Sequence, residues 1–438
     1  MTTIAPPMAD TAAPQPRRSW LDRPMTEPCI ISMIVLAMMT VGFLMVFSAT
    51  RTAHQTGDSY YFTRHILFLP VALGALAIGM LLPYQWLNRR WLVLGALAAG
   101  VGLLAYVLQF GQTVNGARRW IAIPLGPMSI SVQPSEYAKF AVVLFLAWFY
   151  SRSLPAPRPS RSKVLAWYRR HRTTNPRSFL YSFVPAMAVV GLLCVLIVKE
   201  DFGTGAFVGM VAVCLCMIAG WRWWYPSLLV GPAAAAVYLV VWLQPWRLNR
   251  LRVWWNPWKY YEGPGWHICQ SLMALGSGGP TGVGLGMGIQ KLYIPENTTD
   301  FVFAVICEEM GYLGGLMVIG LFAVLVWRAA RVVRRAPDRF GFLLASGILL
   351  VIGLQAIMNI GVVSGALPAK GISLPFISYG GSGLVMMSFA AGLLCSVARQ
   401  CGGGHAPAAG PAASAHLHPE PIVYRPVHAT ATEPQGDA

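Results

Sequence analysis

The chain has 438 residues, of which 56% are hydrophobic and 11% charged. Soluble domains carry about 25% charged residues, so most of this chain must lie in lipid and a water-soluble globular protein is excluded. The net charge of +17 does not imply a nucleic-acid partner, because the cations gather at the ends of apolar segments, where the inner-leaflet potential and the topology rule account for them.

Residues 1–28 are rich in Pro and Ala and carry Arg17 and Arg18. No cleavable small-residue site follows the first apolar run, so this stretch reads as a disordered cytoplasmic tail. Ten segments are then long and apolar enough to span a bilayer, or nearly so: 29–50, 66–82, 91–108, 134–150, 180–198, 204–220, 226–243, 301–327, 341–363 and 378–398. Their apolar runs are continuous, which predicts helices, since barrel strands alternate. With the N-terminus inside, the cytoplasmic pieces hold 21 of the 33 Lys and Arg, including eight between Arg152 and Arg177 and five between Arg328 and Arg339. The expected architecture is an all-α, polytopic integral membrane protein with about ten transmembrane helices, N-in and C-in. One membrane domain covers 29–400, a large extracytoplasmic loop joins helices 7 and 8, and 401–438 is a second disordered cytoplasmic tail. Seven of the eight cysteines fall in or next to predicted helices, and no disulfide or zinc framework follows.

Polar residues enter these spans at particular places. The charge-free part of the fourth segment, 140–150, is too short to cross about 30 Å of hydrocarbon. Starting the helix at Pro134, a good first-turn residue, carries Glu136 and Lys139 below the outer surface on one helix face. Two readings stay open: an ion pair within the helix, and a polar wall of an outward-facing cavity. The loop 244–299 mixes Arg247, Arg250, Arg252, Lys259 and Lys291 with Trp246, Trp254, Trp255, Trp258, Tyr260, Tyr261 and Trp266, a composition suited to interfacial anchoring or to a lid over phosphate groups. Seven glycines fall between Gly276 and Gly288 with no phosphate-loop lysine, which implies backbone mobility or close approach.

Where that loop meets the eighth apolar segment stands Asp300. Placing an ionised Asp in hydrocarbon costs roughly 3 kcal/mol, so such an acid faces water, a partner or a substrate; the alternative is a helix N-terminal acid on the macrodipole. Thr298 or Thr299 is the expected N-cap. That helix end favours the ionised form and weakens Asp300 as a base unless burial opposes it. Glu308 and Glu309 are expected at the interface. Further on, residues 368–383 hold two prolines and four glycines. No regular helix tolerates that run, so it forms a re-entrant or broken segment, allowed at membrane depth only against protein or a watery cavity.

The runs 115–121 (NGARRWI), Gln133-Pro134-Ser135-Glu136 with Lys139, Asp201-Phe202-Gly203-Thr204, Gln270-Ser271 with the following glycines to Gln290-Lys291, Pro295 to Asp300, Glu308-Glu309-Met310-Gly311 and Ser378-Tyr379-Gly380-Gly381-Ser382 lie in one order between about residues 30 and 400. At these residues the chain resembles the FtsW/RodA/SpoVE (SEDS) family of peptidoglycan polymerases, and Lys370 in a Pro-x-Lys-Gly run resembles its cell-division branch. The resemblance implies a ten-helix fold, lipid II as substrate, a class B penicillin-binding protein and other divisome membrane proteins as partners, and a place in the cytoplasmic membrane at the division site. It implies Asp300 as the essential acid, acting as general base in an inverting glycosyl transfer with undecaprenyl pyrophosphate as leaving group. Arg64, Arg119, Glu136, Lys139, Lys291, Glu296 and Lys370 match polar family positions around an outer cavity. A divalent cation, Mg or Mn, would suit the pyrophosphate, but no ligand cluster in the sequence specifies one. Departures are Thr298-Thr299-Asp300 in place of His-Thr-Asp, Glu200 before Asp201 in place of Gln-Pro-Asp, and Trp266-His267 in place of Tyr-Gln. A lipid II flippase and a non-catalytic division scaffold are the competing functions.

Overall fold

The computed structural model describes residues 26–51, 58–114, 117–125, 128–152, 178–239 and 245–402. The two expected tails lie outside them except at their inner edges, as do most of the Arg152 to Arg177 cluster and residues 115–116. The helices are α1 (Glu27–Arg51), α2 (Asp58–Leu81), α3 (Arg90–Phe110), α4 (Pro134–Ser151), α5 (Val184–Glu200), α6 (Phe202–Ile218), α7 (Ser227–Val237), α8 (Pro245–Trp255), α9 (Trp266–Ser277), α10 (Val302–Arg335), α11 (Arg339–Val363) and α12 (Gly381–Gly402). Seven of them, α1, α2, α3, the helix containing α5, α10, α11 and α12, are long and apolar enough to cross a membrane. The three other apolar segments are α4, which carries Glu136 and Lys139, and the shorter α6 and α7.

The fold is mostly helical, and the expectation of an all-α chain is corrected at one place. Between α3 and α4 the chain forms β1 (Gln112–Val114), β2 (Ala117–Leu125) and β3 (Met128–Val132), an antiparallel meander in the order β1-β2-β3. Ile121 pairs with Val132 and Leu125 with Met128. The strand signal is short and β-branched residues alternate with polar ones there, a pattern that a search for long apolar runs passes over. The loop expected between helices 7 and 8 is likewise built from α8, α9 and two 3-10 turns, Pro257–Tyr260 and Gln290–Leu292.

Burial separates a centre from a rim. In α11 and α12, 67% of the spanning window is buried, against 28% in α3. Rim helices turn apolar side chains outward, as with Ile78 (61% exposed), Val195 (69%) and Leu316 (62%), a distribution that lipid, not water, makes favourable. α2 and α12 approach backbone to backbone: a Cβ on Gly79 would strike the Phe389 carbonyl, and one on Gly392 the Leu76 carbonyl. Small residues permit that contact, where van der Waals packing replaces the hydrophobic effect as the association force. All eight cysteines are free thiols.

α10 is two helices in one. Gly311 leaves helical geometry (φ 68, ψ −170), a conformation that costs nothing only for glycine. The backbone groups freed by the break are taken up by the glycine-rich segment: Val283 and Gly284 amides donate to the Glu308 and Glu309 carbonyls (3.0 Å each), and Tyr312 and Leu313 amides donate to the Gly279 and Pro280 carbonyls (2.9 and 3.2 Å). Close approach is therefore the use of these glycines; a Cβ on Gly282 would overlap the Glu309 carbonyl.

Candidate active site

Asp300 lies in the turn 295–301 that leads into α10. The expected threonine cap is not formed: the N-cap of α10 is Phe301, with no side-chain cap hydrogen bond. Thr298 and Thr299 hold the turn by other means. Three consecutive carbonyls are each bound from outside it: Thr298 by the Tyr379 amide (2.8 Å), Thr299 by Ser378 Oγ (2.5 Å) and Asp300 by Asn359 Nδ2 (2.8 Å). Asn359 also donates to the Ile372 carbonyl (2.6 Å). The segment 364–380, non-helical as its prolines and glycines require, is thereby tied to the turn that carries the acid. Its Phe376 and the turn's Glu296 both adopt positive φ (64 and 60), strain that the surrounding bonds must hold in place.

The backbone bonds leave the Asp300 carboxylate facing the segment 364–380 at its closest point. A Cβ on Gly371 would stand 2.8 Å from Asp300 Oδ2. Next to it, the Lys370 side chain crosses the start of α6 so tightly that a Cβ on Gly203 would overlap its Cε. Lys370 Nζ is buried and makes no hydrogen bond among the described residues. Asp201, the N-cap of α6, accepts from the Thr204 amide (3.1 Å) and hydroxyl (2.8 Å) and pairs with Arg119 at 3.7 Å. Asp300, Lys370, Asp201, Arg119 and Glu296 thus share one electrostatic neighbourhood.

The Asp300 carboxyl is pushed up to about 7, by burial first and then by Glu296 and Asp201, with Lys370 and Arg119 opposing. Withdrawal from water therefore outweighs the two cations, and the acid is a far better proton acceptor than an ordinary aspartate. Burial likewise lowers Lys370 to about 8, against the pull of Asp201, Glu136 and Asp300 and with the push of Lys139. Two groups of opposite charge type, both displaced towards neutral pH and adjacent in space, mark a site equipped for proton transfer.

Glu136 and Lys139 do form the ion pair within α4 (2.8 Å), and both are buried, at 9% and 4% exposure. Lys139 also donates to Gln355 Oε1 (2.8 Å), whose amide donates to the Ser373 carbonyl (2.9 Å). The pair therefore braces the segment that carries Lys370. Ser135 Oγ is buried without a hydrogen-bond partner among the described residues.

Two further expected site residues have protein partners of their own. Arg64 is buried and donates from Nη2 to Ser131 Oγ (2.8 Å), joining α2 to β3. Lys291, 1% exposed, is paired with Glu309 at 2.6 Å. Glu308 and Glu309 are 2% and 1% exposed, because the break at Gly311 folds the glycine segment over them. Among the described residues, no group of three or more His, Cys, Asp and Glu is arranged to hold a metal ion. The carboxylates of Asp300, Glu296 and Asp201 do not form such a group.

The sequence model of the FtsW/RodA/SpoVE cell cycle protein family matches residues 29–402. The chain belongs to the FtsW/RodA/SpoVE family. It is 37% identical over 380 residues to a probable peptidoglycan glycosyltransferase FtsW of Coxiella burnetii, an alignment covering 84% of this chain and 95% of that one. It is 36% identical over 383 residues to stage V sporulation protein E of Bacillus subtilis, covering 85% and 98%. Among solved structures it is similar to a chain of a peptidoglycan synthase complex that coordinates polymerization and crosslinking (TM-score 0.64, 26% identity, 85% of this chain and 97% of that chain). It is also similar to the rod shape determining protein RodA of Thermus thermophilus (TM-score 0.57, 25% identity, 88% and 99%).

In this FtsW/RodA/SpoVE chain, sequence reasoning passed over four residues that the fold brings to the site. Asp201 was read only as part of the run Asp201-Phe202-Gly203-Thr204, with no role at the site. Asn359 and Gln355 are lone amides in α11 whose partners lie in the segment 364–380. His267, whose ring lies parallel to Phe301 at 6.4 Å, is held below its ordinary basicity by burial and by Arg250, with Glu296 opposing.

Proposed function

We propose that this protein is a peptidoglycan glycosyltransferase that polymerises lipid II at the outer face of the cytoplasmic membrane during cell division, with a class B penicillin-binding protein as its transpeptidase partner. The observation that carries the reading is the Asp300 carboxyl, displaced to about 7 beside a buried lysine with no hydrogen-bond partner among the described residues. The family membership and the similarity to a synthase-complex chain supply the reaction class and the kind of partner. The topology that serves this function has ten transmembrane helices, with α4, α6 and α7 as the three further crossings, and both termini in the cytoplasm.

Asp300 takes the proton from the 4-hydroxyl of the acceptor sugar as that oxygen attacks the anomeric carbon of the donor. The bond from that carbon to the pyrophosphate oxygen breaks, its electron pair leaves with undecaprenyl pyrophosphate, and configuration inverts. Lys370 and Arg119 oppose the negative charge that develops on the leaving group, and a site withdrawn from water makes each cation more effective. Glu296 and Asp201 keep Asp300 basic enough to accept a proton near neutral pH. The apolar rim of the bundle holds the polyprenyl chains while chemistry proceeds at the head-group plane.

Purified protein in detergent, given lipid II, should make glycan strands without a sealed bilayer. Asp300→Ala should lower the rate by about 10²- to 10⁴-fold, the usual contribution of a positioned base, with the thermal unfolding midpoint unchanged. Strands from that variant at the normal rate would remove Asp300 as base. Translocation in sealed vesicles with no polymer would support flipping instead.

A further inference from the structure

Lys291 and Glu309 are 0% exposed in their side chains, and they meet at 2.6 Å. The pair is closed by a third element: Ser48 Oγ, near the end of α1, donates to the Glu309 carboxylate (2.6 Å to Oε2), and Lys291 Nζ donates to the Ser48 carbonyl (3.2 Å) and the Gly286 carbonyl (2.9 Å). The neighbouring acid works alongside it. Glu308 Oε1 accepts from the Ile289 and Gln290 amides (2.7 and 2.8 Å), fixing the start of the 3-10 turn that contains Lys291. From there one further bond, Asn297 Nδ2 to the Lys291 carbonyl (2.7 Å), leads into the turn 295–301.

We infer that Lys291, Glu309 and Ser48 form a neutral internal latch that positions the turn carrying Asp300, and that Lys291 does not contact substrate. The turn has two anchors. Its far end is held through the carbonyls of Thr298, Thr299 and Asp300, and its near end is held through Lys291 and Asn297. A lysine whose side chain is fully buried against a carboxylate, two carbonyls and a hydroxyl has no donor left for a pyrophosphate. Burial of a charge pair without water requires that both members remain together: removing one leaves an unpaired charge inside the protein, whereas removing both leaves none. Lys291 and Glu309 are positioning residues for the reaction proposed above, on which this inference rests.

The test is a double-mutant cycle in detergent with lipid II. Lys291→Met and Glu309→Gln should each lower kcat by about 10- to 100-fold, the range of coupling between residues in one buried network, with KM for lipid II unchanged. The double variant Lys291→Met/Glu309→Gln should recover most of the lost kcat. Amide hydrogen exchange at 294–301 provides a readout independent of turnover: it should quicken in each single variant and return towards normal in the double, while exchange in α12 stays constant. A raised KM for Lys291→Met that Glu309→Gln fails to correct, with exchange at 294–301 unchanged, would overturn the latch and return Lys291 to the substrate. If the unmodified protein makes no polymer, the reaction assignment fails, and the exchange pattern still decides the latch.

Discussion

The pH profile of polymerisation is the most demanding consequence of the site. The productive state needs Asp300 ionised, so that it can accept a proton, and Lys370 protonated, so that it can oppose the leaving group. With Asp300 at about 7 and Lys370 at about 8, the fraction in that state is roughly 58% at pH 7.5 and about 9% at pH 6 and pH 9, so the rate should form a bell that falls about sixfold on either side. The signs follow from the charges. Lowering pH through 7 protonates the base, and raising pH through 8 discharges the lysine. An aspartate at the ordinary value of 3.8 would instead give a flat profile from pH 6 to the alkaline limb.

Two variants separate the causes. Glu296→Gln removes an anion that raises Asp300 and does not act on Lys370, so only the acid limb should move, towards lower pH. Asp201→Asn removes an anion that raises both groups, so both limbs should move to lower pH together. The assay is the initial rate of lipid II consumption in detergent at constant ionic strength, with strand products resolved on a gel. A profile flat between pH 6 and pH 9, or an acid limb that Glu296→Gln leaves in place, would refute the assignment of Asp300 as a base tuned by burial and its neighbours.

Gly311→Ala should destabilise the protein, because a residue held at positive φ costs about 1–3 kcal/mol and the added Cβ would also strike the Pro280 carbonyl; a lowered unfolding midpoint in detergent checks it. Asn359→Leu removes the donor to the Asp300 and Ile372 carbonyls. Each buried acceptor left bare costs about 1–3 kcal/mol, so the variant should unfold at lower temperature and lose kcat more than KM. Gly203→Ala adds a Cβ where the Lys370 side chain lies. Polymerisation should fall, and the alkaline limb of the pH profile should shift as Lys370 leaves its buried position.

Much of the fold was legible because lipid imposes its own length and polarity on a chain. Seven of the ten apolar segments fall on helices long and apolar enough to cross a membrane, and Pro134 does open α4, since the charge-free part of that segment was too short to start later. The chain from 368 to 380 is non-helical, as its prolines and glycines imply, while Gly381 and Gly383 already belong to α12. Asp300 was conspicuous because a carboxylate at the edge of hydrocarbon needs a reason to be there. The conditional statement about its basicity was resolved by the fold: burial and two acids, one of them 99 positions away in the sequence, outweigh the cations nearby.

Local pattern did not reveal the break at Gly311, where Met310-Gly311-Tyr312 continues an apolar run without interruption. It did not reveal that Lys291 would be spent on Glu309 and Ser48, or that Arg64 would join β3. Nor did it reveal that Asp201 and Asn359 belong beside the acid. Hydropathy reports how each segment meets its solvent, and that is a property of the segment itself. Whether a cation faces a substrate or a buried carboxylate depends on partners as far apart as Ser48 and Glu309, 261 positions distant, and only the packed bundle decides which of them meet.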